Sequence, residues 1–356
     1  MLAVTAAAMP LAGCWTKHSV SGEVGEAKVA AKDKGRVFLT ADFEPGRTLR
    51  YHFVCKRQIT LDWDPNAATM RNRVQEHTEQ LEMVIAYTPL DVDPYGVSTV
   101  RATVESIQAA RSGGPTGRAT GADAVVSSEG RSYTIKVDPR GRIVDANELR
   151  ALIREMGQKA FRSDTTAGRT KDPDMIGDFV ACQWSLWDAI ATIPLPAEGL
   201  IIGQRWQSQL PVPTPMVMRQ ARNAMYRFNG FRGGPRGSAA VIESTYTLAD
   251  SVPTDWPVPY SGRFRMSGTF GFLGPYEVLS LEGTGEDLFN IGEGRLERRL
   301  QQYTMQVKAS LPPMGIQAHP HLTIKQSLAA KLLEPESENP NIESRNPKQI
   351  QSSKPQ

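Results

Sequence analysis

The residues with the most chemistry to offer are the cysteines, and the 356-residue chain has three. Cys14 ends an uncharged, largely apolar run in which Leu11, Ala12 and Gly13 stand directly before the thiol. Small residues at that point leave the backbone open to a protease, and a thiol is the nucleophile suited to take up a lipid group. Cys55 lies on one strand face with Tyr51 and Phe53, and Cys182 sits in an apolar helical stretch, so both read as interior. Outside the cytoplasm the two can form a disulfide pinning strand to helix. Two separate buried thiols is the reading that sequence alone favours, because nothing in the spacing sets their distance.

Other constellations are weaker. His319-Pro320-His321 puts two imidazoles on one face of an extended segment, but no Cys, Asp or Glu lies beside them to complete a metal site. Pro320 marks the segment as an edge strand or loop. Asp172-Pro173-Asp174-Met175-Ile176-Gly177-Asp178 looks like a calcium loop, yet Ile176 stands where an oxygen ligand is needed and Gln183 where the bidentate glutamate belongs. Helix capping accounts for those acids. Asp62-x-Asp64 and Asp91-x-Asp93 each precede a proline and read as turns.

The glycine-rich loops at Gly113–Gly117 and Gly233–Gly237 lack the Lys-Ser/Thr of a phosphate-binding loop, and Gly283-x-Gly285 lacks the third glycine of a dinucleotide fingerprint. No nucleophile elbow, zincin motif or Cys-x-x-Cys is present. The expectation is a non-enzymatic protein with no metal and no cofactor. Trp184, Trp187 and Trp206, with Met216, Met218 and Met225, are candidates to line a hydrophobic-ligand cavity, against the ordinary reading as core. Arg295, Arg298 and Arg299 read as the solvated end of a hairpin.

Leu11-Ala12-Gly13-Cys14 matches a lipobox, and the start of the chain resembles the signal peptide of bacterial lipoproteins. That resemblance implies diacylglyceryl attachment at Cys14, cleavage before it and acylation of the new amino group. Two or three chains anchor far more firmly than one, at about 0.8 kcal/mol per buried methylene. It implies a membrane partner through Cys14 and a place in the cell envelope. Trp15, where an aspartate would signal inner-membrane retention in the family, favours the outer membrane. Residues 1–13 hold no Lys or Arg, whereas signal peptides open with positive charge, so Met1 reads as lying inside the apolar segment of a longer leader.

Beyond the leader, composition excludes two classes. Forty-one basic residues against thirty-eight acidic ones, with no dense basic block, remove the electrostatic case for nucleic acid. Mean hydropathy is −0.36, and no run reaches the roughly 18–20 apolar residues of a membrane-spanning helix.

The elements that must position these residues follow from periodicity. Alternation at Tyr51–Cys55 continuing to Trp63, Leu81–Tyr87, Val100–Val104, Tyr133–Val137, Tyr226–Phe228, Ile242–Leu248, Phe264–Phe272 and Tyr303–Ala309 predicts strands with one apolar and one polar face. Asp145 with Glu148 opens a helix of about sixteen residues whose apolar side is Leu149, Leu152, Ile153, Met156 and Ala160. A second helix, apolar on nearly all sides, is expected over 174–193 and stopped by Pro194 and Pro196.

The fold expected is mainly β or α+β: a curved antiparallel sheet, or sheets, of about 10–12 strands with two central helices packed on the apolar face. Boundaries are a leader at 1–13, a tether at 14–35, an N-terminal β half at 36–144, a two-helix segment at 145–197, a C-terminal β half at 198–333 in one body with the first, and a disordered tail at 334–356. Three echoes keep their order but not their spacing: Tyr51-His52-Phe53 with Tyr226-Arg227-Phe228, Val104-Glu105-Ser106 with Ile242-Glu243-Ser244, and Gly141-Arg142-Ile143 with Gly294-Arg295-Leu296. They raise a duplication of the β half.

The layout resembles a group of bacterial envelope lipoproteins without assigned function, on the lipobox, the turn Val137-Asp138-Pro139-Arg140-Gly141-Arg142-Ile143 and the opening Leu200-Ile201-Ile202-Gly203-Gln204-Arg205-Trp206. In gross architecture it is similar to the LolA-like and LppX-like lipid carriers, whose helices lid a curved sheet. A one-sided β body, an acyl anchor and no catalytic motif together favour an envelope protein that binds a hydrophobic ligand, a polymer or another envelope protein through its sheet or a cavity. The alternatives are an envelope hydrolase with dispersed catalytic residues, or a structural and assembly protein with no ligand.

Overall fold

The computed structural model describes residues 35–66, 73–113, 122–164, 168–214, 220–234, 237–251, 255–311 and 319–333. The expected leader, the tether up to residue 34 and the tail lie outside the described residues, as does Cys14.

Alternating side chains build a meander of five antiparallel strands, β1 (Leu49–Asp62), β2 (Val74–Val92), β3 (Ser98–Ser112), β4 (Ser132–Val137) and β5 (Ile143–Asp145). The middle of the chain forms helix α1 (Asn147–Lys159), short strands β6 (Phe161–Asp164) and β7 (Gly168–Lys171), and helices α2 (Ile176–Ser185) and α3 (Asp188–Ala191). A second meander follows: β8 (Arg205–Pro211), β9 (Ala221–Gly234), β10 (Gly237–Ala249), a two-residue strand β11 (Arg265–Met266), then β12 (Tyr276–Asn290), β13 (Arg295–Ala309) and β14 (His321–Leu332).

The two meanders join at the middle. β14 pairs with β1 over twelve residues, from Tyr51 opposite Leu332 to Asp62 opposite His321. The result is one eleven-stranded antiparallel sheet in the order β5-β4-β3-β2-β1-β14-β13-β12-β10-β9-β8, while β11, β7 and β6 form a small separate sheet. The chain must therefore travel from the β5 edge to the β8 edge, and the helical segment is the strap that carries it across. α1 contacts β4. α2 reaches β1 and β14 through Asp178 and β2 and β4 through Gln183. α3 meets β8 and β9 through Asp188.

The apolar positions of the strands face this strap. Tyr51, Phe53, Ile59, Leu61, Leu81, Met83, Ile85, Met305, Leu322 and Ile324 are all buried and join the helices' Leu149, Met156, Phe179 and Ile190 in one core.

Several expectations need correction. The 174–193 helix is two helices broken at Leu186-Trp187. Trp187 turns into the core against Phe43 and Tyr87, and Gly141 leaves room for it, since a Cβ there would lie 2.8 Å from the Trp187 Cβ. At α1, Asp145 caps Asn147, but Glu148 accepts from the Thr134 amide of β4 rather than reaching back to the helix.

Phe264–Phe272 is not a strand beyond Arg265–Met266. Gly268 (φ 75°) and Gly271, where a Cβ would lie 1.9 Å from the Met266 carbonyl oxygen, fold the segment into a 3-10 turn. The sequence echoes occupy non-equivalent places: Tyr51-His52-Phe53 is at the sheet centre and Tyr226-Arg227-Phe228 is next to the edge strand, so they mark no duplicated half.

Candidate functional site

The covered face carries unexpected charge. Arg57 stands on the apolar side of β1, 4% exposed, where alternation calls for an aliphatic residue. Its Nη2 donates to both carboxylate oxygens of Asp178 on α2 at 2.7 Å, its Nε donates to Gln326 at 2.9 Å, and its Nη1 donates to Glu79 on β2. Arg111 on β3 continues the chain to Glu79 at 2.9 Å and to Asp123 at 2.6 Å.

The two carboxylates that share Arg57 differ. Burial opposes charge on Glu79, but Arg57 and Arg111 together hold its carboxyl below the usual range. Asp178 has Arg57 as its one cation, so burial pushes it up to about 6, against the pull of the guanidinium and of the Gln326 amide and helped by the like charge of Glu79. Burial also raises Asp123 and Asp188, the latter accepting from Tyr226 and Ser208.

The second meander has its own buried cations. Arg299, placed by sequence at a solvated hairpin end, is 3% exposed and clamps Asp287 with two bonds of 2.8 and 2.5 Å. Arg295 is also buried, while Arg298 is exposed. The physical reason is register: Arg299 faces Asp287 across β12 and β13 on the covered side. Arg222 is 1% exposed and lies 4.6 Å from the ring centres of both Tyr246 and Tyr303, donating to Gln301 at 2.8 Å. Gly283 and Gly285 make room here. A Cβ on Gly285 would sit 2.6 Å from Ser244 Oγ and 2.7 Å from Tyr246 Oη. That is the role of the Gly283-x-Gly285 pair.

Each of these acids is met by a cation or a hydroxyl, whereas Arg222 Nε and Nη1 and Arg299 Nη1 are buried without a hydrogen-bond partner among the described residues. Arg57–Asp178 and the Asp188 bonds cross-link sheet and strap, while Arg299–Asp287 and Arg222–Gln301 join strands within the sheet.

The open concavity is on the other face. A trough of about 870 Å³ crosses six neighbouring strands, β3, β2, β1, β14, β13 and β12. With strands about 4.8 Å apart, that is about 24 Å of surface. Its outward-facing lining is Lys56, Gln58, Gln302, Lys325, Glu282 and neighbouring threonines and serines. The β1–β14 register sets Lys56 opposite Ser327 and Gln58 opposite Lys325, so the two lysines occupy diagonal positions whose backbones are about 7–8 Å apart. Neither lysine, nor Glu282, makes an ion pair among the described residues. A second concavity of about 30 Å³, by Asp174, Trp256 and Tyr260, has room for a water or two.

The singled-out residues fall as follows. Cys55 and Cys182 are both buried, with their sulfurs 3.3 Å apart. Trp187 and Trp206 are 3% and 4% exposed in the core, Trp206 donating to the Ala189 carbonyl. Trp184 is half-buried against Trp256, with Arg150 over its ring. None of the three lines the trough. Met225 is exposed, and Met216 and Met218 lie outside the described residues.

His319 and His321 are exposed at the start of β14. In the calcium-like stretch Asp172 accepts from Ser267, Asp174 pairs with Lys171 and caps Ile176, and Asp178 holds Arg57. The lysines of the trough were missed. The signal for them was present as Lys and Gln on the polar side of strands, but only strand order brings positions 56 and 325 together.

No family model matches the chain, and no curated protein matches it. Among solved structures it is similar to a lipovitellin described for its lipid–protein interactions, at 10% identity and a TM-score of 0.37, over 82% of this chain and 26% of that one. The chain thus spans about a quarter of the length of that neighbour. An exported protein with a YmcC-like fold from Bacteroides fragilis aligns at 7% identity and a TM-score of 0.27, over 83% of this chain and all of that one. DynF of the dynemicin pathway of Micromonospora chersina aligns at 8% identity and a TM-score of 0.20, over 88% and 95%.

Proposed function

We propose that the chain is a non-enzymatic, lipid-anchored protein of the bacterial cell envelope that holds an anionic, hydroxyl-rich polymer along the open face of its sheet. The observation that carries the ligand is the trough, whose hydroxyl, amide and ammonium groups are spread over about 24 Å with two lysines free of internal acids. Extended hydrogen-bonding arrays suit a glycan strand, and the lysine pair suits carboxylates on it. The helix-covered face, occupied by side chains and ion pairs, supports placing recognition on the opposite side.

The anchor rests on the lipobox at Cys14. It is supported by exposed apolar groups where the folded body begins. Val37 pairs with Leu200, and beside that bridge Phe38, Ile201 and Ile202 are 45%, 47% and 60% exposed. A bilayer surface suits such groups.

Two experiments test the reading. Labelled palmitate is expected on the wild type and absent from Cys14→Ser; equal label on both overturns the anchor. Titration calorimetry of the folded body with polygalacturonate is expected to show binding that weakens with salt, with none to neutral dextran. Equal binding of dextran, or binding of phospholipid vesicles alone, overturns the anionic-polymer reading.

A further inference from the structure

We infer that Cys55 on β1 and Cys182 on α2 are the two halves of a disulfide that staples the helical strap to the centre of the sheet. Their sulfurs are 3.3 Å apart and both residues are buried, at 3% and 4% exposure. A disulfide needs about 2.05 Å between sulfurs, so closure requires an approach of about 1.3 Å, within reach of small side-chain rotations.

The surrounding register holds the pair in place. Arg57 lies two residues along β1 from Cys55, and Asp178 lies one helical turn along α2 from Cys182. A two-residue step on a strand spans about 6.6 Å and a four-residue step on a helix about 6 Å, so the two elements run antiparallel in step. The Arg57–Asp178 pair, closed by two 2.7 Å bonds, therefore fixes the rung on which the sulfurs meet. Gln183 fastens the next position, accepting from Tyr87 and Tyr133 at 2.5 Å each.

The reaction balances with a disulfide of the thiol–disulfide oxidoreductase class as oxidant. One cysteine thiolate attacks a sulfur of the oxidant's disulfide and expels its partner sulfur as a thiolate. The second cysteine then attacks the mixed disulfide. The protein loses two protons and two electrons, and the oxidant leaves as a dithiol. In the folded protein the hydrogen bond between the two cysteines and their burial keep the Cys55 thiol well above the ordinary thiol range. Thiolate is the attacking form, so closure in the folded protein is slow, and the buried bond once formed is shielded from reductants.

This inference rests on the sulfur geometry and not on the trough, so the two stand or fall separately. The test is to refold the full chain carrying Cys14→Ser in an oxidising glutathione buffer, block free thiols under denaturing conditions, and map the peptides by mass. The expected result is one crosslinked pair of peptides holding Cys55 and Cys182, and a Tm for the oxidised protein above that of the reduced one. Cys55→Ser and Cys182→Ser are each expected to remove the redox dependence of Tm. Both cysteines fully blocked after oxidative refolding would overturn the inference, whether or not the single variants fold.

Discussion

The two faces of the large sheet are built from the same strands yet obey different rules. On the face under the strap, Arg57, Asp178, Arg299, Asp287 and Arg222 are buried among aromatic and aliphatic side chains. Each position there depends on several others. On the open face, Lys56, Gln58, Gln302 and Lys325 are exposed and contact solvent more than one another. The difference separates two kinds of polar chemistry: inside, charge is spent on fixed partners within the packed body; outside, it is free to meet a ligand.

The largest effect is expected at Arg57. Replacing it by Met leaves Asp178 and Glu79 as buried carboxylates with one cation, Arg111, between them. Breaking a buried pair in this way costs about 3–5 kcal/mol, and urea unfolding of Arg57→Met should show it. A loss below 1 kcal/mol would mean that the strap is not held by this pair.

Next comes packing. Gly285→Ala drives a methyl to 2.6 Å from Ser244 Oγ and 2.8 Å from the Leu300 carbonyl, so a loss of about 1–3 kcal/mol is expected. An unchanged Tm would show that Tyr246 and Ser244 can yield.

The pH dependence is smaller and has a definite sign. Asp178 titrates near 6 in the folded protein against 3.8 ordinarily, so between those values the folded state binds more protons than the unfolded one. Stability therefore falls as pH rises through that window. Asp123 and Asp188, also raised, act in the same direction, whereas Glu79, held below 4.5, acts in the opposite sense at lower pH. Denaturation midpoints measured from pH 4.5 to 6.5 should decline, and Asp178→Asn should flatten the slope; a rise with pH contradicts the assignment. Smallest of all is the open face, where Lys56→Gln and Lys325→Gln should each shift stability by no more than about 0.5 kcal/mol.

How much of this was legible follows the same division. Alternation at Tyr51–Cys55, Leu81–Tyr87 and Tyr303–Ala309 was enough for the strands, because a strand with one buried face writes its period directly into the sequence. β12 was hidden because Gly283 and Gly285 occupy covered positions where a pattern search looks for large apolar groups.

Arg299 read as a surface residue and Arg57 went unremarked because a guanidinium is recognised as buried only through its partner, and Asp178 is 121 residues away from Arg57. The nearness of Cys55 and Cys182 depends on α2 crossing β1, which no local spacing records. The trough needed the β1–β14 pairing, a contact between the two ends of the folded body.

The central claim is that recognition belongs to the open face and integrity to the covered one. Polygalacturonate titrated into wild type, Lys56→Glu/Lys325→Glu and Gly285→Ala, each below its own Tm, tests it most directly. The account predicts that the double-lysine variant keeps its Tm and loses at least about tenfold in affinity, while Gly285→Ala loses Tm and keeps its affinity. Unchanged affinity in the double-lysine variant, or lost affinity in folded Gly285→Ala, would contradict it.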